Sequence, residues 1–513
     1  MQHSDTVVEP RLHWLFRAIG VIERAGNKLP HPFWLFWILS AILGVLSLTL
    51  AALDVSATLP NSGEVVAVKN LLSLNGLAFA ASSALDNFAG FPPLTIIIVV
   101  LLGVSVAEKS GFLTALLRMT VIRLPKRLIT FATAFAAMTA HVMSDTAYLV
   151  MIPLGALAFR AAGRSPVLGV MVAYVSTAVG FNASPLVTPG DGIRTGLTTA
   201  AAQIVDPHYV VTPVALYFFS AVSSVFLAMI ITLVVETLLA KRPDVNDDVS
   251  HSDDAEQQQL TLSPTERRAL RYSGLVFALF VALVITLMAI PGSPLLGKGG
   301  GIVNSVVVKN ISVFLSLLFA CVGLTYGRLT GSLPTLSDLP AAMIDGIRQI
   351  APVIVLFFAV SQFLAYFEWS GIGSLITVGG ADLLQSVEAP HWVILLLIVL
   401  AISILNMVIT SGSAAWSILA PVLIPMMMYI QMPPELAMVG FQIGDSVTNP
   451  VSPMNAYFVM ALGFVQQYRK NAGIGTLMSF TVPIALAILV AWTAFFMLWY
   501  ALGIPLGPGV HIR

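Results

Sequence analysis

Two apolar stretches of this chain are interrupted by polar residues of the types that bind ions and small anions. The clearer of the two, residues 405–458, contains Asn406, Asp445 and Pro453 in a segment otherwise apolar enough for a bilayer. A carboxylate at membrane depth is costly to bury, so Asp445 indicates a functional site. Interrupted apolar segments with small and polar residues at the breaks are typical of transporter substrate and ion sites.

A related pattern occurs in the first half of the chain. Three of its prolines each lie 268 positions before a proline of the second half: Pro153, Pro166 and Pro185 precede Pro421, Pro434 and Pro453. The segment EKSG at 108–111 also resembles EWSG at 368–371. We therefore predict two structural repeats, each a polar-tipped helical hairpin followed by a broken helix.

Composition places these segments in a membrane. The chain has 513 residues, of which 57% are hydrophobic and 10% are charged, and its mean hydropathy is +0.91. Many apolar runs reach the roughly 20 residues that a spanning helix needs, which predicts an all-α polytopic membrane protein. A net charge of zero gives no indication of nucleic-acid binding, and a single cysteine excludes a disulfide framework or a thiolate metal site.

The distribution of basic residues orients the chain. Lys and Arg favour the cytoplasmic side, which puts the N-terminus inside and gives the two hairpins opposite orientations, as in inverted-topology repeats. We expect about nine transmembrane helices plus two re-entrant hairpins in a bacterial-type inner (plasma) membrane. We predict a cytoplasmic amphipathic segment at 1–29 and a cytoplasmic linker at 241–271. The first membrane half, 30–240, contains a hairpin at 128–160 and a broken helix at 166–204. The second membrane half, 272–513, contains a hairpin at 391–430 and a broken helix at 434–466. A pair of true spans is the competing interpretation of 128–160.

Four oxygen-bearing side chains at the breaks are candidates for a coupling-ion site: Asn182, Asp191, Asn406 and Asp445. Broken half-helices leave free carbonyls at one end, and these suit Na⁺, a hard cation that takes oxygen ligands. Free amides at the other end favour an anionic group on the substrate. The alternative for Asp191 and Asp445 is that each only caps helix amides. The coupling ion is Na⁺ or H⁺ in this interpretation, and no organic cofactor is expected.

The two hairpin tips carry further polar residues. The first tip has His141, Ser144 and Asp145, and the second has Ser411 and Ser413. His141 is either a buried core histidine or a proton carrier. The two serines either bind ligand or only hydrogen-bond to the helix backbone.

Two apolar residues of the second repeat also have alternative interpretations. Trp416 follows the hairpin tip, where it could anchor the helix at the interface or stack on an aromatic substrate. Pro434 could contact ligand, although proline is also a common first residue of a helix.

The motifs of the second half resemble those of the AbgT family, the p-aminobenzoyl-glutamate transporters. The resemblance rests on SGSAAW at 411–416, PEL at 434–436, IGDSVTN at 443–449 and Pro453, with the first-half segment 180–185 and Asp191 in support. It implies a homodimer, Na⁺ or proton coupling, and small aromatic anionic substrates of the folate pathway, taken up as p-aminobenzoyl-glutamate or expelled as sulfonamides. At the positions of this sequence that match the family's motifs, the resemblance implies transport-site roles for Asp191, Asn406, Ser413, Trp416, Pro434, Asp445 and Pro453.

One position departs from the family pattern. The family commonly has Arg just before Ile-Gly-Asp, whereas this chain has Gln442. Gln442 can hydrogen-bond to a substrate but adds no charge, which either disfavours a dianionic glutamyl substrate or leaves Asp445 with less neutralising charge. The second consequence favours proton coupling.

Three other functions are compatible with parts of the pattern. An ion-coupled dicarboxylate or citrate-type carrier also has paired hairpins, but the context of Trp416 and Asp445 disfavours it. An intramembrane aspartyl protease would pair two membrane aspartates, but its Gly-x-Gly-Asp motif would need glycine at Gln442. A passive channel is the third alternative. The pattern as a whole predicts a carrier rather than an enzyme.

Overall fold

The structure is a computed structural model, and it describes residues 30–58, 65–122, 128–242, 245, 261–290, 292–297, 305–386, 390–407, 409–453 and 455–512. The predicted amphipathic segment, 1–29, lies outside the described residues. So does most of the predicted linker, at 243–244 and 246–260.

The first half of the chain is almost entirely helical. In order, its elements are α1 (Pro32–Ala52), β1 (Ser56–Thr58), β2 (Val65–Ala67), α2 (Leu74–Ser82), α3 (Ala84–Ala89), α4 (Pro92–Lys109), α5 (Phe112–Ile122), α6 (Ile129–Ala140), α7 (Thr146–Ala161), α8 (Pro166–Gly180), α9 (Pro189–Ala202) and α10 (Tyr217–Val234). A π-helical turn, Val235–Leu239, extends α10. The two strands form a short antiparallel pair with Ser56 opposite Ala67, which the hydropathy pattern does not predict.

The second half contains helices only in its described part. They are α11 (Pro264–Ala289), α12 (Val306–Lys309), α13 (Ile311–Thr330), α14 (Asp338–Trp369), α15 (Ile372–Ser386), α16 (His391–Asn406), α17 (Gly412–Tyr429), α18 (Pro434–Thr448), α19 (Ala456–Tyr468) and α20 (Ile474–Leu502).

Eight of the described helices are long and apolar enough to cross a membrane: α1, α4, α10 with its extension, α11, α13, α14, α17 and α20. Seven of these coincide with predicted spans, and the eighth, α17, belongs to the second predicted hairpin. The predicted nine spans are the other seven and the two broken helices, each counted as one span. The broken helices are not among the eight, because each consists of two helices of only 13 to 15 residues. The prediction of an all-α polytopic membrane fold is confirmed.

One helix begins within the segment predicted as the linker. Helix α11 begins at Pro264, inside the predicted linker 241–271, because Ser263 and Glu266 form a capping box that starts the helix. The side chain of Ser263 accepts from the Glu266 amide at 3.1 Å, and the Glu266 carboxylate accepts from the Ser263 amide at 2.7 Å. Hydropathy alone places the start of this helix too late, because its first turns are charged.

Helical hairpins occupy both predicted regions. In the first, α6 and α7 are joined by a short 3-10 turn, His141–Met143. In the second, α16 and α17 are joined by a tip that includes Met407 and residues 409–411. Both arms of the first hairpin pack against α8, and both arms of the second pack against α18.

The broken helices repeat with the spacing seen in the sequence. Each bound of α8 lies 268 positions before the corresponding bound of α18, and every residue of both helices is buried. Their continuations cross over, since α9 packs against α17 of the second hairpin and α19 packs against α7 and α8. The two breaks are thereby held between the two hairpins.

The EKSG and EWSG segments also share a local structure. Gly111 and Gly371, which follow α4 and α14, have φ angles of 83° and 75°, a conformation that glycine adopts without steric cost. The hydroxyls of Ser110 and Ser370 each accept from the amide two residues later, at 3.2 and 3.4 Å. The same four-residue pattern therefore ends one helix and starts the next at both places.

Candidate functional site

Asp445 lies at the centre of the molecule. It stands one turn before the end of α18, and its side chain is 0% exposed. It faces the break of the other repeat, because Asn182, just after α8, donates from Nδ2 to Asp445 Oδ2 at 2.7 Å. The same Asn182 amide donates to Ser446 Oγ at 2.8 Å. The first broken helix and the second therefore meet at this carboxylate.

The second hairpin contributes Asn406 to the same place. Asn406 is the last residue of α16, is 1% exposed, and donates from Nδ2 to the Asp445 carbonyl at 3.1 Å and to Thr448 Oγ1 at 2.7 Å. Asn449 donates from Nδ2 to Asp445 Oδ2 at 3.3 Å. Asn182, Asn406 and Asp445, nominated from separate parts of the sequence, are brought together by the fold.

Three oxygen acceptors in this cluster have no hydrogen-bond partner. They are Oδ1 of Asn182, Oδ1 of Asn406 and Oδ1 of Asp445, and all three are buried. Buried acceptors without partners are rare, because leaving one unsatisfied costs about 1–3 kcal/mol. Each of these oxygens is a ligand type that a hard cation prefers.

The carboxylate of Asp445 has no positively charged hydrogen-bond partner among the described residues, and none of the ion pairs there includes it. Its polar contacts come from neutral amides. A buried ionised carboxylate with only neutral partners is expensive, so a cation or a proton is favoured at this position.

The tip of the second hairpin closes over Asp445. A Cβ on Gly412, the first residue of α17, would lie 3.1 Å from Asp445 Oδ1 and 3.0 Å from the ring of Phe181. The absence of a side chain at Gly412 therefore lets the start of α17 approach the carboxylate closely. A helix N-terminus so placed favours negative charge at Asp445.

The tip of the first hairpin reaches the same cluster through aromatic contacts. The buried ring of His141 packs edge-to-face on Phe181, with centroids 5.1 Å apart, and on Tyr148 at 6.0 Å. Ser144, half-buried, has a φ of 51°, unusual for a residue other than glycine, and Asp145 is exposed. Of these tip residues, only His141 lies next to the central cluster in this conformation.

Asp191 belongs to a different set of contacts. It is the third residue of α9 and forms a capping box with Thr188, whose amide donates to Asp191 Oδ2 at 2.7 Å. Its other oxygen, Oδ1, accepts from Arg194 Nη2 at 2.6 Å. In this conformation Asp191 caps α9 and forms an ion pair with Arg194, whose side chain is 2% exposed.

Trp416 and Pro434 make no hydrogen bond to the cluster among the contacts that the structure describes. The buried indole of Trp416 donates from Nε1 to Thr198 Oγ1 at 3.0 Å and packs on Phe441 with centroids 4.7 Å apart. Pro434 is the first residue of α18, roughly 16 Å along the helix from Asp445. In this conformation Trp416 joins α17 to α9 and α18, and Pro434 begins α18.

The remaining predicted residues surround the cluster. Gln442 lies one turn before Asp445, is buried, and leaves Oε1 without a hydrogen-bond partner. Pro453 is half-buried in the break after α18, Ser413 is half-buried, and Ser411 is exposed at the start of α17, where its hydroxyl accepts from the Ala414 amide at 3.4 Å.

Arg194 and Phe181 are neighbours of the site that sequence reasoning missed. Arg194 is only 2% exposed, its guanidinium lies 5.1 Å from the Phe181 ring, and its charge acts on Asp445 without a direct bond. A signal for Arg194 existed, because an ionisable residue within a predicted membrane helix is by default a functional candidate. The sequence gives no such indication for Phe181, because a single aromatic residue in an apolar segment usually belongs to the hydrophobic core.

Eight helices able to cross a membrane, two hairpins and two interrupted helices around a buried carboxylate define a membrane transporter of the broken-helix class. The chain belongs to the AbgT putative transporter family, whose family model matches residues 17–513. The prediction of this family, made from the motifs at 411–453, is confirmed.

Comparisons with individual proteins agree with this family assignment. The chain is 37% identical over 499 residues to the p-aminobenzoyl-glutamate transport protein of Escherichia coli (strain K12), which covers 97% of each chain. It is similar to the YdaH transporter of Alcanivorax borkumensis, with a TM-score of 0.88, 35% identity, and coverage of 93% of this chain and 100% of that one. It is also similar to MtrF of Neisseria gonorrhoeae, described as illuminating a class of antimetabolite efflux pumps, with a TM-score of 0.89, 34% identity, and coverage of 96% and 100%.

Proposed function

We propose that this protein is a secondary active transporter of p-aminobenzoyl-glutamate or a related aromatic folate-pathway compound, coupled to Na⁺ or H⁺. The observation that carries the proposal is the fully buried Asp445 carboxylate, which has neutral hydrogen-bond partners and lies where both broken helices meet. The similarity to a p-aminobenzoyl-glutamate transport protein supports the substrate class. The similarity to MtrF supports efflux of an antimetabolite as a second candidate activity, for which we propose sulfonamides as the compounds.

The coupling ion would bind at Asp445. The unpaired oxygens of Asn182, Asn406 and Asp445 fit Na⁺ by their chemistry, and a proton would instead reside on the carboxylate. Either Na⁺ or a proton would remove the free-energy cost of burying a carboxylate charge whose hydrogen-bond partners are neutral. Cation binding would thereby favour the closed arrangement, in which Gly412 covers Asp445.

Transport requires this closed arrangement to open on alternate sides of the membrane. We propose that the two hairpins with α8 and α18 shift as a unit, by an elevator-like or rocking motion against a scaffold of the remaining helices. The tight packing of each hairpin on its broken helix supports such a unit. The resemblance to the family supports a homodimer in the bacterial inner membrane with the N-terminus in the cytoplasm.

The experiment is flux in proteoliposomes with imposed gradients. Radiolabelled p-aminobenzoyl-glutamate and a labelled sulfonamide are offered under a Na⁺ gradient, a pH gradient or neither. We expect accumulation against a concentration gradient under one of the two ion gradients, which identifies the coupling ion and the direction. Absence of flux of both compounds through folded protein would overturn the substrate class, and flux that never exceeds equilibration would indicate a channel.

A further inference from the structure

Arg194 is the only arginine among the described residues that is fully buried, and its hydrogen bonds are incomplete. Its Nη2 donates to Asp191 Oδ1 at 2.6 Å, whereas Nε and Nη1 have no partner. Unmet donors on a buried charged group are costly, and the capping box already satisfies Asp191 Oδ2. The arrangement leaves donors for an acceptor that the protein itself does not supply.

The guanidinium of Arg194 lies beside the start of α9 and the ring of Phe181. A Cβ on Gly190 would lie 3.1 Å from Arg194 Nη1 and 3.5 Å from the Phe181 ring, so a larger residue there would crowd both. The other edge of Phe181 faces Gly412, which in turn faces Asp445 Oδ1. Phe181 therefore lies between Gly190, which adjoins the guanidinium, and Gly412, which adjoins the Asp445 carboxylate at the tip of the second hairpin.

The chemistry of this position selects an aromatic anion. Guanidinium matches a carboxylate in charge and planar geometry, and it is less strongly hydrated than an ammonium, which suits a buried site. An aromatic ring beside Phe181 would gain offset or edge-to-face packing. Gln442, on the same helix as Asp445, has no charge with which to bind an anion.

We propose that Arg194 binds the carboxylate of the transported aromatic anion, with Asp191 holding the guanidinium in position and Phe181 contacting the ring. This inference rests on the proposed function and names the anion-binding residue of that site. Because Arg194 is 2% exposed here, the anion enters in a conformation in which the helix breaks separate. The anion at Arg194 and the cation at Asp445 then lie on opposite sides of Phe181.

The test compares an anionic ligand with a neutral one of nearly the same shape. Purified protein is titrated calorimetrically with p-aminobenzoate and with its neutral amide, p-aminobenzamide. The double variant Asp191→Asn/Arg194→Gln removes both members of the buried pair, so that neither charge is left without its partner. We expect the preference of the wild type for the carboxylate, roughly ten- to hundredfold for a charge-assisted hydrogen bond, to fall to near one in the variant.

A matched control is available in the same chain. Asp345 and Arg348 form an ion pair with the same three-residue spacing at 3.2 Å, but their side chains are 38% and 76% exposed. The double variant Asp345→Asn/Arg348→Gln should keep the wild-type preference. An unchanged preference in the Arg194 variant would overturn the inference alone, as would an equal loss of both ligands. Failure of the wild type to bind either ligand would overturn the proposed function as well.

Discussion

The two aspartates of the broken helices, Asp191 half-buried and Asp445 fully buried, have opposite environments. Asp191 has a charged partner, Arg194, and both of its oxygens accept from named donors. Asp445 is more deeply buried, accepts only from neutral amides, and leaves Oδ1 without a partner. The first carboxylate is paired with a guanidinium of the protein itself, whereas the second has no charged partner among the described residues and, under the proposed function, would take its positive charge from the coupling cation. The difference separates a fixed charge that positions Arg194 from a carboxylate that can take part in ion coupling.

The largest expected effect on stability comes from breaking the fixed pair. Asp191→Ala removes the cap of α9 and leaves Arg194 buried without its partner, which should destabilise the protein by about 3–5 kcal/mol. The measurement is denaturant unfolding in mixed micelles. Asp345→Ala, which breaks an exposed pair of the same spacing together with the exposed pair to Lys109, should cause no measurable change. A similar loss in both variants would show that the Asp191 pair is not special.

The next effect concerns the cation at Asp445. Asn182→Ala removes a donor to Asp445 Oδ2 and one of the unpaired oxygens. The concentration of coupling cation for half-maximal transport should rise roughly tenfold, as expected for one charge-assisted hydrogen bond. The measurement is a Na⁺ titration at fixed pH and a pH titration at fixed Na⁺. Asn310→Ala, at an exposed amide, is the control, and identical titration curves for the two variants would contradict this role of Asn182.

A smaller effect should follow from adding charge beside Asp445. Gln442 lies one helical turn from Asp445, so Gln442→Arg would place a positive charge that favours the ionised carboxylate. The pH profile of transport should shift to lower pH, measured in proteoliposomes at a fixed Na⁺ concentration. An unchanged profile would show that the residue at 442 does not control Asp445.

The smallest expected effect is on the stability of the protein when Trp416 is replaced. Trp416→Phe removes one hydrogen bond, to Thr198, and should cost about 1 kcal/mol of stability with little change in substrate affinity. Unfolding and ligand titration of the same sample measure both quantities. A loss of affinity for aromatic ligands without a loss of stability would restore the substrate-stacking role considered from the sequence.

Much of the fold could be predicted from the sequence because its signals are strong. Apolar runs mark the helices, and the paired prolines mark the two repeated units, whose helices α8 and α18 keep the same spacing of 268 positions. Asn182, Asn406 and Asp445 could be nominated as one site because breaks at membrane depth must be satisfied inside the protein. The structure brings these three together.

The contacts of Trp416 and the importance of Arg194 could not be predicted from the sequence, because they depend on helix rotation and on which side chains meet. Trp416 follows the hairpin tip closely, but its indole points to Thr198 on α9, which no local pattern reveals. Arg194 follows Asp191 by three positions, a spacing equally common in exposed ion pairs such as Asp345–Arg348. Only the burial of Arg194 distinguishes the two pairs, and burial is a property of the assembled helices.

The most direct test of the account is the behaviour of Asp445→Asn in proteoliposomes. Asparagine keeps the size and the acceptor oxygen of the side chain but removes its charge, so the site no longer needs a cation. We predict that the variant still exchanges labelled for unlabelled substrate across the membrane, while accumulation driven by a Na⁺ or pH gradient is lost. Asp382→Asn, at an exposed carboxylate, should retain both activities. Gradient-driven accumulation at the wild-type level in Asp445→Asn would contradict the assignment of Asp445 as the coupling residue.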